Sequence, residues 1–141
     1  MDAVRNLQFS VLDTHEVSAL LLVPTNAMCL LVMAHGAGAG MNHSFMEAMA
    51  SAHATDGVGT FRYQFPYMEQ HRGVPDRQPV LTATVAAAVK TAVDTLHETD
   101  DRITGDQIHR AAAEPGSRQT CTNCPGRLGV GDELFELRTA D

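Results

Sequence analysis

His35, Gly36, Ala37 and Gly38, with Gly40 two positions on, follow directly on the apolar run Cys29 to Ala34. Glycines at a strand exit let backbone N–H groups approach a ligand closely, and a helix starting just beyond them adds a field that favours negative charge. Two chemistries use such a turn. A dinucleotide site needs G-x-G-x-x-G, but counting from Gly36 puts Met41 at the last glycine, and counting from Gly38 puts His43 there. An oxyanion hole needs only an N–H aimed at the tetrahedral intermediate of acyl transfer. A tight turn that merely permits close strand and helix packing fits the local residues equally well.

Other reactive residues are sparser. Cys121 and Cys124 stand two residues apart, a spacing from which two thiolates reach one zinc ion, and His97 and His109 could complete a four-ligand set. Their separation matches no familiar zinc pattern and no second C-x-x-C exists, so loop cysteines free to oxidise are the plainer reading and no metal is assigned. Asp94, Glu98, Asp100 and Asp101 read as a solvated helix end. His43 reads as the residue that opens a helix, and His53 as a partly exposed helical residue.

The elements that must position the glycine turn are legible around it. Residues 7 to 12 and 17 to 23 read as strands able to pair antiparallel, the second ended by Pro24-Thr25-Asn26. Residues 28 to 34 are apolar without alternation, as in a strand covered on both faces. Ser44 and Glu47 have capping-box spacing, and helical rhythm through Phe45, Met46, Met49, Ala50 and His53 stops at Asp56-Gly57, giving a helix over 44 to 56. Phe61, Tyr63 and Phe65 alternate in a strand over 59 to 65, closed by Pro66. Residues 68 to 79 read as a polar loop. From Val80, the positions Leu81, Val85, Ala88, Val89, Ala92, Val93 and Leu96 give the strongest helical periodicity, with one face toward a sheet. This order is α/β.

Beyond residue 98 the texture changes to arginines without lysine, a short Ala-rich piece after Thr104, and a Cys/Gly/Pro-rich stretch in which only residues 133 to 138 look strand-like. A single domain over 1–98 with an unrelated, poorly ordered tail over 99–141 is the expected organisation. The chain has 141 residues, and a net charge of −7 with Lys90 as its one lysine argues against a nucleic-acid or anionic-membrane surface. No apolar run approaches the roughly 20 residues that span a bilayer, and an odd count of three cysteines does not describe a disulfide framework, so a cytoplasmic protein is expected.

The segments VMAHGAGAGMNHSFMEAMA and GVGTFRYQFPYMEQHRGVPDRQPVL, with the long helix after them, resemble the N-terminal half of small α/β hydrolases. These are the dienelactone-hydrolase-like proteins related to the hydrolase-like domain of NSL-complex subunit 3 and testis-expressed proteins. The likeness covers about residues 10 to 98. It implies a three-layer α/β/α fold, here a partial sheet of about four strands with two main helices and an irregular tail. It also implies serine-dependent hydrolysis of small esters or lactones, with a triad in the order Ser, Asp or Glu, His, and the serine on a G-x-S-x-G elbow after the strand that follows the long helix. On this resemblance His35, Gly36, Ala37 and Gly38 form the oxyanion-hole turn, with Ala37 offering the N–H and His35 shaping the turn rather than acting as base.

The sequence departs from the family at the elbow. None of Ser10, Ser18, Ser44, Ser51 and Ser117 has glycine two residues before and two after, nor does any cysteine. No catalytic residue and no cofactor are therefore assigned, and the chain is expected to be an inactive, truncated relative, the product of a coding sequence interrupted or out of frame after about codon 98. The alternatives are an enzyme with Cys121 or Cys124 as nucleophile, and a non-enzymatic interaction module with a zinc-binding tail. A small acyl substrate is expected of full-length relatives only. Without a nucleophile strand, the run at 28 to 34 should expose a sheet edge prone to self-association unless residues 133 to 138 cover it.

Overall fold

The computed structural model describes residues 3–25, 27–36, 40–99, 108–112, 129–130, 133–134 and 138–139. Ala37, Gly38, Asp100, Asp101, Ser117, Cys121 and Cys124 lie outside them. Strands β1 (Arg5–Val11) and β2 (His15–Leu22) pair antiparallel from Arg5↔Leu21 to Val11↔His15, as the sequence predicts. Their turn is closed by the Thr14 N–H donating to the Val11 carbonyl at 3.2 Å. It carries φ of 53° at Leu12 and 56° at Asp13, the left-handed sense that matches strand twist in a hairpin.

β3 (Cys29–Ala34) leads through the glycine turn to α1 (Ser44–Thr55), then β4 (Val58–Tyr63). Gly57, with φ of 77°, follows the last turn of α1 and ends the helix where Asp56-Gly57 predicts. At the N-terminal cap the reading of His43 as the helix-opening residue holds and the capping-box reading of Ser44 does not. His43 occupies the cap, its Nδ1 accepting from the Phe45 N–H at 3.2 Å, so Ser44 stands inside the helix and forms no capping box with Glu47. His53 is also corrected: it is buried with Met46, Met49 and Ala50, not partly exposed.

After β4 a single-turn helix, α2 (Pro66–Glu69), precedes α3 (Gln78–Thr99) and β5 (Ile108–Ala112). The remaining pieces are β6 (Gly129–Val130), β7 (Glu133–Leu134) and β8 (Arg138–Thr139). One mixed sheet has the order β1-β2-β4-β3-β5-β8, and β6 pairs with β7 separately. Thus β5 and β8 extend the expected four strands. β3 is parallel to β4 on one side and to β5 on the other, from Leu30↔Ile108 to Ala34↔Ala112. The edge expected to stay open at β3 is therefore filled, and by Ile108–Ala112 rather than by residues 133 to 138.

The sheet is a middle layer. Phe9, Val17, Ala19, Leu21, Leu30, Val32, Phe61 and Tyr63 share one face and form a core with Ala88, Ala92 and Leu96 of α3. Pleat alternation sends Cys29, Leu31, Met33, Thr60 and Arg62 to the other face, and α1 packs on β4. Full burial of Phe61, Leu30 or Val32 stabilises the fold by about 1.5–3 kcal/mol each. Cys29 is disulfide-bonded, so the chain's three cysteines are not all free thiols. By length and composition, Gln78–Glu98 of α3 could cross a membrane. Here Ala88, Ala92 and Leu96 face the sheet, and the outer side carries the Lys90 to Asp94 pair at 2.7 Å.

Candidate functional site

Parallel pairing of β3 with β4 ends at Ala34↔Tyr63, so the two chains leave the sheet side by side. One exit is the glycine turn beginning at His35. The other is the corner Gln64-Phe65-Pro66. Carboxyl ends of neighbouring parallel strands are where α/β sheets hold ligands, because the loops there are free to diverge.

His35 ties the two exits together. It is 5% exposed, and its Nε2 accepts from the Phe65 N–H at 3.1 Å. A backbone N–H can only donate, so Nε2 must be bare, the proton sits on Nδ1, and Nδ1–H donates to the Gly36 carbonyl at 2.9 Å. Burial holds the imidazole below the usual histidine range, against the opposing effect of the Gly36 hydrogen bond. The rings of Phe65 and Tyr67 meet it edge-on, with centroids 5.1 and 5.8 Å away. With its one lone pair already engaged, His35 as placed has nothing to offer a substrate proton. Its two ring nitrogens tie the end of β3 to Gly36 and to Phe65.

The corner differs from the sequence reading: Gln64 and Phe65, expected in the strand, lie beyond the end of β4 at Tyr63, and Met68 and Glu69, expected in a loop, belong to α2. Pro66 opens α2, where its missing N–H costs nothing, and Glu69 closes it. The Tyr67 N–H donates to Asp76 Oδ2 at 2.8 Å, and Arg72 reaches Asp76 Oδ1 at 2.6 Å. Asp76 thus pins the PDR segment under the FPYME corner. Burial and the nearby Asp76 raise the Tyr67 phenol above its usual range. Glu69 turns back to β2, where Oε1 accepts from Ser18 Oγ at 2.7 Å and Oε2 from the Ser18 N–H at 3.2 Å.

The far end of the glycine turn is held from β4. The Met41 carbonyl accepts from Arg62 Nη1 at 3.2 Å, and the Met41 N–H points to Gln64 Oε1 at 3.4 Å. Gly40 lies so close to Gln64 that a Cβ there would collide with Oε1 and approach Met68 Cγ to 3.0 Å. A side chain here would push the Gln64 amide and the Met68 side chain aside, and the backbone has no positive φ that calls for glycine. Burial lowers the Arg62 guanidinium from its usual value, offset in part by Glu47.

Of the predicted turn, His35 and Gly36 are placed beside this corner, while Ala37 and Gly38 fall outside the described residues. Arg62, Gln64, Glu69 and Asp76 were missed as site residues. Pro66 followed by Glu69 three residues later was the available signal, since proline at the first helical position with an acid in the first turn marks a helix start. Among the described residues no group of three or more His, Cys, Asp or Glu could hold a metal ion.

The family model described as an alpha/beta hydrolase domain matches residues 27–106, from the start of β3 to just before β5. The chain belongs to the α/β-hydrolase family. Solved α/β hydrolases share its fold. A dienelactone hydrolase from Anabaena variabilis ATCC 29413 superposes with a TM-score of 0.63 at 14% identity, over 84% of this chain and 53% of that one. The esterase Est22 gives 0.63 at 16% identity, over 79% and 35%. Est1E from Butyrivibrio proteoclasticus gives 0.57 at 18% identity, over 81% and 40%. The chain therefore spans about half the length of the dienelactone hydrolase and less of the other two. Among curated protein sequences none matches it. In this α/β-hydrolase chain the strand after the long helix is β5, and the residues immediately following it lie outside the described set.

Proposed function

We propose that these residues form the oxyanion-turn half of an α/β hydrolase for small esters or lactones, and that the chain as given does not turn such substrates over. The observation that carries this reading is β5. It lies parallel to β3, where the strand after the long helix belongs, yet no serine or cysteine anywhere in the sequence has the flanking glycines of an elbow. The elbow presents the nucleophile and also supplies the second N–H of the hole. Without it, a cradle for a developing oxyanion built from His35, Gly36, Ala37 and Gly38 has no group to generate that charge. The hydrogen bond from Phe65 to His35 supports the same reading, because it removes the nearest imidazole from base duty.

Hydrolysis of nitrophenyl acetate and nitrophenyl butyrate by the purified chain tests this. The expected rate equals that of the buffer plus an equimolar unrelated histidine-containing protein, unchanged by a serine-directed fluorophosphonate. Turnover that the fluorophosphonate abolishes, with one equivalent of label on the protein, would overturn it.

A further inference from the structure

Gln64 lies between two fixed points. Its Nε2 donates to Glu69 Oε2 at 3.0 Å, and a carboxylate can only accept, so the amide orientation is set from that side. Oε1 is thereby turned toward Gly40 and the Met41 N–H. Glu69 is itself anchored by two hydrogen bonds from Ser18 in the middle of β2. The Gly40 carbonyl in turn accepts from the His43 N–H at 3.1 Å, which leads into α1.

We propose that Gln64 is a positioning residue for the glycine turn, the centre of a relay from Ser18 through Glu69 and Gln64 to Gly40 and Met41. This rests on the reading of residues 35 to 38 as an oxyanion turn. His35 fixes the start of that turn against Phe65, and Gln64 fixes its end, so both ends are referenced to the same corner after β4. The absence of a side chain at Gly40 is what lets the amide come close enough. Arg62 holds the other side of the same residue through the Met41 carbonyl, but from beneath α1 and outside the relay.

Amide hydrogen exchange followed by NMR on the full chain tests the relay, with Gln64→Met, Glu69→Ala and the double variant. Each single change should speed exchange at Met41 and His43 by about tenfold, the loss of one ordinary hydrogen bond. Ala88, Ala92 and Leu96 in α3 should keep wild-type exchange, which separates loss of position from loss of fold. The double variant should be no faster at Met41 than Gln64→Met alone, because both changes cut one path. Wild-type exchange at Met41 in either single variant would overturn the proposal, as would additive effects in the double variant or equal acceleration in α3. Ester turnover does not enter this readout. A wild-type chain that hydrolysed esters would overturn the inactivity proposed above and leave the relay standing.

Discussion

Protonating His35 would place two donors, its own Nε2–H and the Phe65 N–H, face to face across 3.1 Å. Burial holds both His35 and His53 below the ordinary value of 6.5, so the unfolded chain takes up these protons before the folded one does. Where the unfolded state binds more protons, stability rises with pH. The contribution is thus complete above 6.5 and is lost as the pH falls below it toward the depressed values. Urea midpoints at about pH 7.5 and about pH 5.5 should show this fall, and His35→Gln should make it smaller. A variant whose fall matches the wild type would show that His35 is not the linked group. His53 behaves differently under substitution. Its Nε2 is buried with no hydrogen-bond partner, so His53→Leu, which removes the orphan atom and keeps the volume, should be neutral or stabilising by about 1–2 kcal/mol in the same unfolding assay. His53 stands at helical spacing with Met46, Met49 and Ala50, so it shares the buried face of α1 although histidine as a residue type suggests partial exposure.

At the scale of elements, β4 shows what the sheet demands. It runs between β2 and β3, and a Cβ on Gly59 would lie 3.2 Å from the Leu22 carbonyl oxygen and 3.0 Å from Leu30 Cδ1. Backbone in a central ladder cannot yield as a flexible side chain can, so Gly59→Ala should destabilise by about 1–3 kcal/mol. Gly73, with nothing within 4 Å, is the internal control, and Gly73→Ala should stay within about 0.5 kcal/mol of wild type in thermal unfolding. Equal effects at the two glycines would refute this account of the packing. The same elements show which signals survive in sequence. β3, α1, β4 and α3 were legible because apolar runs and periodicity record burial directly. α2 was hidden inside a polar stretch, since a single turn is too short for periodicity and is stabilised by the Asp76 carboxylate nine residues away from Tyr67.

For the whole molecule, the strand the sequence did not announce is the one that completes the arrangement. Ile108–Ala112, read only as part of an Ala-rich piece, has a composition that would suit a helix as well. It is a strand because β3 offers it a row of hydrogen-bonding groups, and Ile108 enters the core at 2% exposure. Long-range pairing of this kind outweighs local propensity. Ile108→Ala should therefore destabilise by about 2–5 kcal/mol, as truncation of a buried aliphatic residue does. A loss below about 0.5 kcal/mol in urea unfolding would place residue 108 outside the cooperative unit. The supports around the glycine turn were not legible, because Gln64, Glu69 and Ser18 meet only through the fold. The occupied flank of β3 has a further meaning for any test of the proposed inactivity that adds a polypeptide with a serine elbow. Such a newcomer would find its berth taken. It would have to evict Ile108–Ala112 residue by residue, so reconstitution would proceed as strand exchange, with a rate set by how often the resident segment peels away rather than by how much complement is supplied.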